Sequence, residues 1–359
     1  MQVFFRVDSS QKIGTGHVMR CLALAEELRT RGSEITFFSR DLSGNISDSI
    51  KDREFNLKIL KAPKSSPSRN ENYLDWLEVS VQEDQKEMLS LVKGATPTET
   101  CLVVDHYALD SKWEAPFKKL GLRILVIDDL ANRNHDCNLL MDQNYFSDPQ
   151  TRYRQRVSSD CQLYLGPEFS LLRKEFQTLG KTSRNREKIE KLLVFFGGID
   201  LTGETEKTLQ ALSLLKNQIQ VDLIIGSKNP NREKIENLAK NLKTVKCHVQ
   251  TPHLAKLMFE ADLALGAGGS STWERCCMGL PSFVISVAEN QTETSAQMGK
   301  RGYSVFLGSH EEVSAKQLAA ALDEAISQPK KILEMGKKSR ELVDGMGCAK
   351  IASALLKQS

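Results

Sequence analysis

The sequence predicts an α/β protein of two doubly wound parallel-sheet domains facing a central cleft. Three observations carry that prediction. Short apolar strands alternate with segments of helical period, and the alternation runs twice along the chain. The strands are near-continuous runs of β-branched residues and leucine, as in sheets covered on both faces. A proline-containing, basic stretch separates the two runs, and 359 residues suit about two domains at roughly 150 residues each.

In order, residues 3–8 read as a strand and 17–31 as a helix, and 34–39 as a second strand. After a Ser/Pro-rich loop at 63–68, residues 73–93 read as one helix. Strand 101–105 ends in a carboxylate, a helix covers 111–121, and strands follow at 123–129 and 139–142. The stretch 166–191 breaks the rhythm with Pro167 and the polar run from Lys181 to Arg186. Strands then return at 192–196, 221–225, 245–249, 262–265, 282–285 and 303–306, with helices between them and two more closing the chain, separated near Gly345 and Gly347. The expected division is therefore 1–165, a connection over 166–191, and 192–359. Ligands of such sheets bind at the carboxyl ends of the strands.

Composition narrows the function classes. A net charge of +3, with scattered lysines and arginines, gives no case for nucleic acid. No apolar run approaches 18 residues, so no membrane span is expected. Met1 leads almost directly into a strand without a basic segment and apolar stretch, which argues against a signal peptide. The eight cysteines include no C-x-x-C pair, the pattern of reduced thiols in a cytoplasmic protein.

Gly14-Thr15-Gly16-His17 joins the first strand to the first helix. Glycines there let the chain turn sharply and let a ligand approach. The positive helix end disfavours imidazolium, and a neutral imidazole serves as a general base near pH 7. A packing turn with a helix-start histidine fits the tetrapeptide equally well.

The second half has a denser signal. Gly266-Ala267-Gly268-Gly269-Ser270-Ser271-Thr272-Trp273-Glu274 follows a strand and opens a helix. Its backbone amides can converge on a diphosphate, and Ser270, Ser271 and Thr272 add hydroxyls and helix caps. Glu274 suits either the helix dipole or a ribose diol. Gly197-Gly198, after the first strand of this half, reads on its own as a tight turn. The stretch is neither a Walker loop nor an NAD fingerprint, and no spacing suggests a metal cage, so neither metal nor cofactor is expected. Glu289-Asn290-Gln291 lies past a later strand end, where it can hydrogen-bond a sugar or where Asn290 can cap the next helix.

With both stretches in view, the chain resembles the GT-B class of nucleotide-sugar enzymes. Gly266 to Glu274, Gly279-Leu280-Pro281 and Glu289-Asn290-Gln291 resemble the donor site of MurG-type glycosyltransferases. Arg6-Val7-Asp8, Ile13 to Leu22, Val104-Asp105-His106-Tyr107, Ile127-Asp128-Asp129, Leu165-Gly166-Pro167 and Phe196 to Asp200 are similar to the UDP-2,4-diacetamido-2,4,6-trideoxy-β-L-altropyranose hydrolases of pseudaminic acid biosynthesis.

That resemblance implies metal-independent, inverting hydrolysis to UDP and the free sugar. It makes His17 the base that activates water, with Tyr107 and Asn290 bordering sugar and water. Gly268 to Thr272 would hold the diphosphate and Glu274 the ribose. Gly14, Gly16, Gly197, Gly198, Asp8, Arg20 and Gln291 are further substrate-binding candidates, and His106 competes with Tyr107 for the cleft. By analogy the last helix packs back on the first domain, and a monomer is expected. A glycosyltransferase using a UDP-sugar donor and a non-enzymatic nucleotide-sugar-binding module are the alternatives.

Overall fold

A computed structural model describes residues 1–62, 72–182 and 184–357. The loop expected at 63–68 and Ser183 of the polar run lie outside the described residues. The chain forms two compact units, one comprising Met1–Leu171 and the segment from Met346 onward, the other Leu172–Gly345.

The first unit is a seven-stranded sheet: β1 (Gln2–Val7), β2 (Glu34–Arg40), β3 (Asn56–Leu60), β4 (Thr100–Asp105), β5 (Arg123–Ile127), β6 (Leu139–Asp142) and β7 (Gln162–Leu165). All its pairings are parallel, in the order β3-β2-β1-β4-β5-β6-β7. The second unit repeats the pattern with β8 (Lys191–Phe195), β9 (Gln220–Ile225), β10 (Val245–Val249), β11 (Leu263–Ala267), β12 (Ser282–Ser286) and β13 (Val305–Ser309), ordered β10-β9-β8-β11-β12-β13. In each sheet the order reverses beside the first strand, between β1 and β4 and between β8 and β11. Such switch points open a crevice at the carboxyl ends of the two strands.

Central strands are fully buried because helices cover both faces: every residue of β4 and of β12 is buried. The edge strands β3 and β7 escape the sequence pattern. Four of the five residues of β3 and three of the four of β7 retain solvent contact, so neither shows a continuous apolar run. Residues 73–93 are not one helix. A short 3-10 turn at Tyr73–Leu77 ends at Glu78, whose φ is +54°, and the helix proper, Val81–Leu91, starts after Ser80 accepts the Glu83 N–H at 3.1 Å. The strand expected at 303–306 falls two residues later, at β13.

The expected connection over 166–191 contains the crossing between units, but most of its residues belong to the second unit. The chain crosses between units once at Leu171–Leu172 and returns at Gly345–Met346. Within the supposed connection, the helix Lys174–Gly180 belongs to the second unit and buries Phe176 completely. The closing helix Gly347–Leu356 is part of the first unit. Its Ile351, Ala352 and Leu355 share a core with Val18, Leu22 and Ala25 of the first helix, Gly16–Thr30. Arg31 ties the two helices through Ser353 Oγ (2.7 Å) and the Ala349 carbonyl (3.1 Å).

Gly347 is where that helix meets residues 169–170, and a Cβ there would overlap the Ser170 carbonyl oxygen and the Phe169 backbone. Gly347→Ala should cost about 1–3 kcal/mol, the usual penalty for overpacking a rigid contact. Urea denaturation of variant and wild type measures it, and coincident midpoints would contradict so close a fit.

Candidate active site

The first-unit site forms at the switch point of its sheet. Val7 at the end of β1 pairs with Asp105 at the end of β4, so the residues following β1 rise beside the Asp105 carboxylate. The chain turns at Gly14, whose φ of +77° is costly for any other residue, and whose N–H binds the Ser10 carbonyl at 2.9 Å. Gly16 then begins the helix. Residues three and four apart share a helix face, which aims His17, Arg20 and Cys21 together at Asp105.

The resulting cluster is tight. His17 Nδ1 lies 2.6 Å from Asp105 Oδ1, while Arg20 grips the same carboxylate through Nε to Oδ2 (2.6 Å) and Nη2 to Oδ1 (2.7 Å). Burial alone would raise the Asp105 pKa, but the Arg20 guanidinium and then His17 outweigh it and hold the carboxyl well below the usual range. An ionised carboxylate only accepts, so Nδ1 carries a proton, and in the neutral imidazole Nε2 keeps the lone pair. The imidazole is thus oriented chiefly by a carboxylate. His17 itself is 8% exposed.

Arg20 also reaches Asp129 at 2.8 Å, so it positions carboxylates on the His17 side of the sheet. Asp129 Oδ2 accepts the Tyr107 hydroxyl at 2.5 Å, and Asp129 Oδ1 accepts Asn144 Nδ2 at 2.7 Å. Burial, then the Asp129 charge, push the Tyr107 pKa well up, which keeps it a phenol that donates. Its ring meets His17 edge-on at 4.7 Å between centroids.

His106 and Tyr107 take opposite sides. His106 Nδ1 accepts the Ala108 N–H at 3.1 Å, and its Nε2 lies 3.4 Å from Asp8. Burial presses the His106 pKa down to about 4. Asp8 sits within a buried ion cluster. It binds Arg6 at 2.6 and 2.8 Å and the Arg40 N–H at 2.7 Å, while Arg6 and Arg40 also hold Asp84. Asp8 is 0% exposed, so its carboxylate organises β1 and β2 from inside the fold.

The second-unit stretch gathers at its own switch point. Gly266, Gly226 and Gly268 are required sterically. A Cβ on them would strike, in turn, the Phe195 carbonyl, the Gly198 carbonyl and Ser295 Oγ. These close approaches bring the Gly197-Gly198 turn, with Gly197 at φ +93°, beside the 266–269 turn. Gln291 joins them: its Nε2 would lie 3.6 Å from a Cβ on Gly269, while its Oε1 accepts the Val287 N–H at 3.2 Å. Asp200 caps the next helix through the N–H groups of Glu204 and Thr205.

Some expected roles change. Ser270 precedes the helix Ser271–Cys277 but forms no side-chain cap. The Ser271 and Thr272 hydroxyls accept from the buried Arg275, at 3.0 and 2.9 Å, and Arg275 also holds the Ala267 carbonyl. Burial presses the Arg275 pKa down to about 10. Asn290 is not a cap: it is the second residue of the helix Glu289–Lys300, half-buried, behind Ala288. Glu274 faces Arg173 at 3.5 Å, and burial raises its pKa.

Sequence reasoning missed Asp105 as a site residue, although its place at a strand end was visible. Pairing it with His17 requires the sheet order. Asp129, which meets Arg20 across 109 residues, and the Trp76 ring, which stacks on Tyr107 at 5.2 Å, were missed because their partners are distant in sequence, whereas Arg275 bonds only residues within eight positions and was passed over beside Glu274.

Residues 193–353 match the Glycosyltransferase family 28 C-terminal domain. The chain is 27% identical to the UDP-2,4-diacetamido-2,4,6-trideoxy-beta-L-altropyranose hydrolase of Campylobacter jejuni, over 85% of this chain and 98% of that protein. It is also 27% identical to the spore coat polysaccharide biosynthesis protein SpsG of Bacillus subtilis, over 99% and 98% of the two chains. Among solved structures, MurG of Acinetobacter baumannii superposes with a TM-score of 0.65 at 12% identity, covering 99% of both chains. A UDP-glucosyltransferase from Polygonum tinctorium gives 0.70 at 13%, with the same coverage. The fold is therefore that of the GT-B glycosyltransferases, and the resemblance carried by the motifs extends over most of the chain.

His106 gives a pH test of the first-unit site. Its folded pKa of about 4 lies below the ordinary 6.5, so the unfolded chain takes up the proton first on acidification. This contribution to stability is present above pH 6.5 and is lost as pH falls towards 4. His106→Asn should therefore flatten the drop in unfolding free energy between pH 7 and pH 5. A His106 resonance titrating near 6.5 by NMR would contradict the burial.

Proposed function

We propose that this protein is a UDP-sugar-processing enzyme, and specifically that it hydrolyses UDP-2,4-diacetamido-2,4,6-trideoxy-β-L-altropyranose to UDP and the free sugar. The observation carrying this reading is the His17–Asp105 pair, a base with its tautomer fixed. The 27% identity to a hydrolase of that name supports the substrate. On this reading His17 Nε2 removes a proton from water as the oxygen attacks the anomeric carbon. The imidazolium so formed is stabilised by Asp105, whose charge is already fixed by Arg20. The C1–O bond breaks as C1–O(water) forms, giving inversion, and the electron pair leaves with UDP.

The second unit would hold the leaving group. Amides of the 266–272 turn, with Gly197 and Gly198 adjoining, would receive the diphosphate, and Arg275 beneath them adds a positive charge. Glu274 would exchange its contact with Arg173 for the ribose hydroxyls. Asn290 and Gln291 would border the sugar, and Gly14 and Gly16 would keep the approach to His17 open. UDP leaves as an anion, so no second carboxylate is demanded, unlike in ordinary glycosidases. Neither a metal nor a cofactor enters this scheme. A monomer in the cytoplasm is part of the same proposal.

A glycosyltransferase remains the second reading, favoured by the family 28 match. Incubation with the UDP-diacetamido sugar in buffer separates the two. The proposal expects equal amounts of UDP and free sugar without acceptor, and inertness until an acceptor is added would overturn it. His17→Ala should lose at least a hundredfold in turnover while keeping its UDP affinity, as removal of a general base does at about 10²–10⁴-fold. Near-normal turnover would remove His17 from the mechanism. Glu274→Ala should weaken UDP binding by calorimetry more than it slows bound substrate; unchanged affinity would exclude the ribose contact.

A further inference from the structure

Beside the His17–Asp105 pair stand two rings that the hydrolysis scheme does not use, Tyr73 and Trp76, packed against Tyr107. Trp76 stacks on Tyr107 with centroids 5.2 Å apart and planes 24° from parallel. Tyr73 meets Trp76 edge-on at 5.0 Å and Tyr107 at 5.2 Å. His17 lies edge-on to Trp76 at 6.0 Å. Three rings thus cluster on one side of His17, two of them in edge-on contact with it.

The 3-10 turn Tyr73–Leu77 is built to hold them there. Asn72 caps it by accepting the Leu74 N–H at 3.0 Å, and Leu77, 0% exposed, anchors it in the core. Glu78, at φ +54°, ends it. Tyr73 and Trp76 nevertheless stay half-buried, whereas the other two tryptophans, Trp113 and Trp273, are 0% and 1% exposed. The Trp76 indole N–H has no acceptor among the described residues. A half-wet aromatic wall beside His17, with an indole N–H that meets no acceptor among the described residues, offers apolar surface and one donor. It suits a pyranose bearing methyl and amide groups. The rings would cover methyls, and the indole N–H would meet an amide carbonyl.

We propose that Trp76, supported by Tyr73 against Tyr107, is a specificity-determining residue that selects acetamido- and deoxy-substituted sugars over fully hydroxylated ones. This rests on the UDP-sugar reading above, but its test is a binding measurement that needs neither turnover nor His17.

The intact protein is titrated with UDP, UDP-glucose and the UDP-2,4-diacetamido-2,4,6-trideoxy sugar. Trp76→Ala should weaken the diacetamido donor at least tenfold while shifting UDP and UDP-glucose less than threefold. Trp76→Phe, which keeps a ring and loses the N–H, should fall between wild type and Trp76→Ala for the diacetamido donor and leave UDP unchanged. Wild-type tryptophan fluorescence should respond to the diacetamido donor beyond its response to UDP, and Trp76→Phe should abolish that excess. Equal weakening of all three ligands, or no weakening of any by either variant, overturns the proposal. Selective loss with Trp76→Ala in a protein that releases no sugar would instead keep the wall and retire the hydrolase.

Discussion

The Asp105 carboxylate, fixed in its charge by Arg20 and shared with His17, is the interaction on which the first-unit site depends. It stands at the end of β4 because that strand lies beside β1 at the reversal of sheet order. Burial alone pushes the Asp105 pKa up, and Arg20, followed by His17, reverses that and keeps the carboxylate an acceptor for Nδ1. With Arg20, one negative charge serves two partners. Through Asp129 the same arginine reaches the Tyr107 hydroxyl, so base and neighbouring ring are held in one network.

The second unit uses a different constraint, that of close backbone approach. Gly226, Gly266 and Gly268 are places where only hydrogen fits. Beneath the turn they form, Arg275 is buried and engaged by hydroxyls and a carbonyl, with no ion pair among the described residues. A buried guanidinium so placed favours an anion nearby, the charge state of a nucleoside diphosphate.

Much of the fold was legible because buried parallel strands write themselves as apolar runs. β1, β2, β4, β5, β8, β9, β11 and β12 stand close to their sequence-derived spans. The edge strands β3 and β7 did not, since solvent contact breaks their pattern. The break at Glu78 escaped because a positive φ in a non-glycine residue carries no composition signal. At the site, local motifs marked the turns at Gly14 and Gly266, but pairs drawn from distant strands stayed hidden. His17 and Asp105 are 88 residues apart, and nothing short of the strand order joins them. Asp8, conspicuous at the end of β1, proved to be tied within the fold by Arg6.

The central claim is that water, deprotonated by His17, attacks the anomeric carbon and displaces UDP. Hydrolysis of the UDP-diacetamido sugar in ¹⁸O-enriched water, followed at once by ¹³C and ³¹P NMR, tests it directly. The account predicts ¹⁸O on C1 of a first-formed sugar of inverted configuration, and none in UDP. Label in the UDP β-phosphate, or a first-formed sugar of retained configuration, would contradict it.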